Sequence, residues 1–133
     1  MIGGISHITL IVKDLKRTSA FLQSVFGATE VYSSGEKQFS LSKEIFFLIN
    51  DIWLCIMEGE SLGERTYNHI AFQISAADLE LYRSKVIASG AELRPERSRV
   101  EGEGQSIYFY DFDNHLFELH TGTLEERLKR YAK

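Results

Sequence analysis

The 133-residue chain has one cysteine, Cys55, so it cannot close an internal disulfide. The stapled frameworks of small secreted domains are thereby excluded, and a reducing, cytoplasmic setting is expected. Long apolar runs are missing as well. The longest, Ile52 to Met57, is strand length, far short of the ~20 residues that cross a bilayer. The residues from Met1 to His7 lack the basic stretch and apolar core of a secretory signal, so none is expected. There is no excess of positive charge: 15 Lys and Arg stand against 19 Asp and Glu, net −4. That balance argues against nucleic acid as a partner. Low-complexity tracts are absent. A chain of this length fits one domain or two small fused modules, burying roughly two-thirds of its unfolded surface.

What the chain does have is an internal repeat. His7-Ile8-Thr9-Leu10-Ile11-Val12 opens one half and His69-Ile70-Ala71-Phe72-Gln73-Ile74 opens the other, both β-rich. A helix signal follows each. Asp14 caps a stripe of Phe21, Leu22, Val25 and Phe26 that ends at Gly27. Ser75 or Asp78 caps a stripe of Leu79, Tyr82, Val86 and Ile87 that ends at Gly90. Strands are then expected over 38–41, 45–49 and 53–57 in the first half, and over 91–94, 106–110 and 117–120 in the second. Asn50-Asp51 and Asp113-Asn114 supply the turns before the last strand of each. Each half reads βαβββ, an α+β architecture. The polar segment Glu58 to Arg65 joins them, giving modules 1–60 and 61–133, the second with a charged helical tail from Thr123.

Aligning the closing strands exposes a constellation. Cys55 lies 48 residues after His7, and Glu118 lies 49 after His69. The repeat therefore offers four equivalent positions: His7, Cys55, His69 and Glu118. Two imidazoles and a carboxylate suit Mn, Fe or Zn, and three protein ligands leave positions open for substrate. Cys55 is read as a small buried residue outside the coordination sphere. His120 shares a strand face with Glu118, but the repeat gives it the place of Met57, which makes it a residue behind the ligands or in the wall of the site. His115 falls in a turn and is expected to face solvent.

Other polar side chains gather around these positions in the pattern. Thr9 follows His7 by two residues, on the same face. Ser106 and Tyr108 share a face of one strand. Arg94, Arg97, Arg99 and Arg127 bring positive density late in the chain, and arginine's planar fork suits the oxygens of a carboxylate or phosphate-like anion. Arg97 and Arg99 read more simply as a solvated basic loop.

A duplicated βαβββ unit with a histidine on each first strand resembles the vicinal-oxygen-chelate superfamily, over nearly the whole chain. The runs Tyr67 to Phe72, Glu103 to Asp111, Phe112 to His120 and Gly122 to Leu128 resemble fosfomycin-resistance proteins of that superfamily. The resemblance implies Mn(2+) held by His7, His69 and Glu118. It implies phosphonate contacts from Arg94, Ser106, Tyr108 and Arg127, and a domain-swapped homodimer. In that dimer His7 would come from one subunit, and His69 with Glu118 from the other. Of the three chemistries in the group, thiol-using members with cysteine at the Thr9 position are disfavoured. The glutathione type has a potassium loop, from which the segment Arg97 to Gly102 departs. The hydrolase type carries an added carboxylate in the first module, matched by Glu44. The implied activity is water addition to the epoxide of fosfomycin, with Glu44 as general base and Thr9 donating to the epoxide oxygen. The alternatives are a glutathione transferase and a non-catalytic antibiotic-binding protein of the same fold.

Overall fold

The run Ile8–Val12 forms strand β1, and Asp14 then starts helix α1, Leu15–Phe26, accepting from the Arg17 amide at 3.1 Å. In this computed structural model, residues 1–35, 42–95 and 104–132 are described, and the chain divides into two units, Met1–Gly63 and Glu64–Lys133. Gly27 closes α1 in the left-handed region at φ 63°, a conformation that favours a residue without Cβ. Strands β2, Thr29–Ser33, β3, Glu44–Ile49, and β4, Ile52–Glu58, complete the first unit. The sheet order is β1-β4-β3-β2, with β1 parallel to β4 and the other pairs antiparallel.

The second unit repeats this plan. β5, His69–Gln73, leads through a short 3-10 turn into α2, Leu79–Ser89. Then come β6, Glu92–Leu93, β7, Ser106–Tyr110, β8, Leu116–His120, and the terminal helix α3, Leu124–Tyr131. Its sheet order is β5-β8-β7-β6, again with the first and last strands parallel. The expected α+β class and the βαβββ order of each half are therefore present. No described helix is long and apolar enough to cross a membrane.

Period-two alternation decides which side chains face the helices. In the first unit Leu10, Val12, Ile45, Phe47, Leu54 and Ile56 are buried with Phe21, Leu22 and Val25 of α1. In the second, Ile107, Phe109, Phe117 and Leu119 are buried with Leu79 and Val86 of α2. Full burial of one such side chain contributes about 1.5–3 kcal/mol. The alternate residues point to the helix-free face of each sheet, and the candidate site residues on the strands fall there.

Several local expectations differ. β2 lies at Thr29–Ser33, a segment not foreseen as a strand: all five of its residues are exposed and its pairing with β3 carries a bulge between Glu30 and Tyr32. The strand expected over 38–41 lies outside the described residues. β6 is only two residues long. Ser75 accepts from the Ala77 amide, whereas Asp78 makes no side-chain cap. Ile87 is exposed and Tyr82 half-buried, so only Leu79 and Val86 of the α2 stripe are buried.

Candidate metal centre and anion pocket

In the second unit the site grows from β8. Its central residue Glu118 pairs with Ala71 of β5 on one side and Tyr108 of β7 on the other. Glu118 is 5% exposed, and a carboxylate that deeply buried needs partners on both oxygens. Oε1 lies 3.0 Å from His69 Nε2. Oε2 accepts from the Ser106 hydroxyl, and the Tyr108 hydroxyl bonds to the same carboxylate. Burial pushes this carboxyl up. The Ser106 and Tyr108 donors, then the His120 and His69 rings, outweigh burial and hold it below the ordinary glutamate range.

His69 is oriented from behind. Its Nδ1 lies 2.7 Å from the Tyr67 carbonyl oxygen. A carbonyl only accepts, so Nδ1 carries a proton and Nε2 is the nitrogen turned toward Glu118. The Tyr67 hydroxyl donates to that of Tyr108 at 3.0 Å, and the His69 ring meets Tyr108 edge-on. Arg94 donates its backbone N–H to the Tyr108 carbonyl, and its guanidinium lies 5.5 Å from the Tyr67 ring and 5.9 Å from the Tyr108 ring. Arg127, on α3, reaches His120. The second unit thus links His69, Glu118, Arg94, Ser106, Tyr108 and Arg127 in one network. An open pocket of about 280 Å³ adjoins it, lined by Ala71, Phe72, Gln73, His120, Gly122, Thr123 and Leu124.

In the first unit His7 immediately precedes β1. It stacks on Trp53 at 4.2 Å, and its Nδ1 lies 3.0 Å from the Ser6 hydroxyl. Thr9 is in register with Cys55, and its hydroxyl bonds to that thiol. Cys55 is 4% exposed. Burial, then the charge of nearby Glu44, push the thiol up to about 11, against a smaller opposing pull from Thr9. Glu44 is half-buried at the head of β3, two residues before Phe46, and its backbone pairs with Ser34. Phe46 meets Trp53 edge-on at 5.2 Å. The Trp53 indole N–H is buried with no acceptor among the described residues.

Among the described residues, no three His, Cys, Asp or Glu side chains are gathered as a ready-made metal cage. The donor chemistry nonetheless fits a borderline divalent ion: the Nε2 nitrogen of an imidazole oriented through Nδ1 faces a buried carboxylate. Arg97 and Arg99 lie outside the described residues.

His120, expected behind the ligands or in the wall, contacts both Ser106 and Arg127 and lines the pocket. Two other residues sit differently from the sequence reading. Tyr67, two residues ahead of His69, supplies the carbonyl that orients it. His115 faces inward instead of toward solvent: Asp111 accepts from its Nδ1 at 2.8 Å and from the backbone N–H groups of Asp113 and His115. That local knot builds the β7–β8 turn. The spacing of two to Glu118 or His69 was the available signal for His120 and Tyr67.

A fold of paired βαβββ units presenting imidazole and carboxylate donors narrows the possibilities to one class. The chain belongs to the Glyoxalase/Bleomycin resistance protein/Dioxygenase superfamily, whose family model matches residues 4–119. Within that class its relatives are specific. It is 68% identical to the fosfomycin resistance protein FosX of Listeria innocua, over all of both chains. It is 62% identical to FosX of Mesorhizobium japonicum, over 100% of this chain and 96% of that one. Among solved structures it is similar, with TM-score 0.91 and 66% identity, to a mutant FosX of Listeria monocytogenes complexed with Mn(II) and 1S,2S-dihydroxypropylphosphonic acid. That match covers 98% of this chain and 99% of the other.

Proposed function

We propose that the chain is a Mn(II)-dependent fosfomycin hydrolase, which adds water to the epoxide and so inactivates the antibiotic. The observation that carries this reading is the His69–Glu118 pair, set beside hydroxyl and guanidinium groups suited to a phosphonate. Full-length similarity to FosX proteins supports it. So does the relative crystallised with Mn(II) and a dihydroxypropylphosphonic acid, the diol that water addition to fosfomycin yields.

His69 and Glu118 are the proposed ligands in the second module, 61–133, and His7 the ligand in the first, 1–60. The sequence repeat supports that trio, and the resemblance supports drawing His7 from one subunit of a homodimer and the other two from its partner. When bound, the metal offsets negative charge growing on the epoxide oxygen. The chain's own groups do the rest. Arg94 and Arg127 grip the phosphonate with charge-assisted bonds, and Ser106 and Tyr108 turn their hydroxyls to it. So held, the substrate presents a ring carbon to water. Glu44 takes a proton from that water as its oxygen bonds to carbon. The ring C–O bond breaks, and Thr9 donates a hydrogen bond to the departing oxygen. That oxygen gains a proton, leaving a vicinal diol. A cytoplasmic location is proposed from the lone, reduced cysteine.

The test is the mass of the product formed from fosfomycin with Mn(2+), with and without added thiols. Gain of one water, independent of thiol, is expected. A thiol adduct would establish the transferase alternative, and an unconsumed but bound antibiotic would establish the sequestering one.

A further inference from the structure

Resting on that reading of the anion pocket, we infer that His120 is a positioning residue that sets two phosphonate-binding groups at once, Ser106 from β7 and Arg127 from α3. Both ring nitrogens are engaged. Nε2 lies 3.3 Å from Arg127 Nη2, and Nδ1 lies 2.6 Å from the Ser106 hydroxyl oxygen. Arginine only donates, so Nε2 accepts, and the single ring proton of the neutral imidazole sits on Nδ1. Nδ1–H therefore donates to Ser106 Oγ, which in turn donates to Glu118. His120 thus holds the Ser106 oxygen in place, and the hydroxyl needs only to rotate away from Glu118 to donate to a phosphonate.

The placement explains why a ring is needed. Ser106 and His120 are direct partners across the β7–β8 pair, so a side chain at 120 always meets one at 106. Arg127 approaches from a helix that contributes no buried residue of its own, so little packing holds its guanidinium. A histidine whose side chain is only 14% exposed gives that guanidinium a fixed acceptor. The same ring lines the adjoining pocket with Gly122 and Thr123. The positions of the Ser106 oxygen and the Arg127 guanidinium are thereby settled before an anion arrives, which lowers the entropic cost of binding it.

The experiment compares His120→Ala, His120→Asn and His120→Gln in the full protein with Mn(2+). Asparagine places an amide N–H near the Nδ1 position and restores only the Ser106 bond. Glutamine places a carbonyl oxygen near the Nε2 position and restores only the Arg127 bond. The expected result is a KM for fosfomycin raised about tenfold or more in the alanine variant, with kcat less affected. Asparagine and glutamine should give intermediate values; His120 Nδ1 also lies 3.3 Å from Glu118 Oε2, so KM is read at saturating Mn(2+), and any loss of Mn(2+) affinity should not exceed the roughly 10–100-fold of an outer-shell change. KM values within about twofold of wild type in all three variants would overturn the inference. So would a loss of Mn(2+) affinity with KM unchanged, which would make His120 a support of the metal alone. Calorimetric titration of the same variants with inorganic phosphate gives a readout independent of turnover. A wild-type protein that binds phosphate in the expected variant order but leaves fosfomycin intact would overturn the hydrolase reading while upholding the role of His120.

Discussion

His69 Nε2 and Glu118 Oε1 face each other at 3.0 Å from neighbouring parallel strands, with the other nitrogen of His69 pinned by the Tyr67 carbonyl. A divalent ion that binds only the folded arrangement stabilises it by mass action, by about 2.7 kcal/mol at a hundredfold excess over Kd. Chelated protein should therefore melt several degrees lower than the Mn(2+)-loaded form, and restoring Mn(2+) should reverse the change. Melting curves that superimpose with and without Mn(2+) would contradict the metal assignment.

Glu44 sits at the start of β3 on the strand's half-buried, helix-free side. As general base it contributes to the chemical step and not to metal capture. Glu44→Gln should lower kcat by roughly 10²–10⁴-fold, with Mn(2+) affinity unchanged. Wild-type turnover in this variant would remove Glu44 from the mechanism.

Cys55 titrates near 11 in the folded chain, against 9.0 for a free thiol, because burial and the charge of Glu44 both disfavour the thiolate. At pH 8 the folded thiol carries roughly a hundredfold less thiolate than the unfolded one, by the pKa difference. Iodoacetamide should modify the native protein far more slowly than protein in concentrated urea. The native rate should rise only as pH climbs toward 11. Equal rates in both states at pH 8 would show the thiol to be accessible.

Gly104 adopts φ +77°, and a Cβ there would meet the Gly122 backbone nitrogen at 2.8 Å. This contact sits at the foot of β7, where Gln105 and Thr121 exchange hydrogen bonds just ahead of Ser106. Gly104→Ala should destabilise by more than about 1 kcal/mol and raise KM for fosfomycin. A denaturant midpoint equal to wild type would contradict the tight approach.

The repeat was legible because its punctuation is chemical. Gly27 and Gly90 end their helices at φ 63° and 84°, and Asn50 and Asn114 take φ 54° and 69° in the matching turns. His69 and Glu118 were legible from their place in that repeat. β2 was not, since a wholly exposed, bulged edge strand has no apolar alternation to read. The inward turn of His115 was hidden because Asp111, four residues earlier, holds it, a local bond that no periodicity encodes. The bond between His120 and Arg127 was invisible for a different reason: it depends on where α3 docks, and α3 buries nothing that would announce its docking face.

The most direct test is Mn(2+) titration of metal-free protein, following free Mn(2+) by electron paramagnetic resonance, for wild type and the variants His7→Ala, His69→Ala and Glu118→Gln. The account predicts one ion per chain in wild type. It also predicts a loss of affinity in each variant that exceeds the roughly 10–100-fold typical of outer-shell changes. Wild-type affinity in any one of the three would contradict the proposed centre.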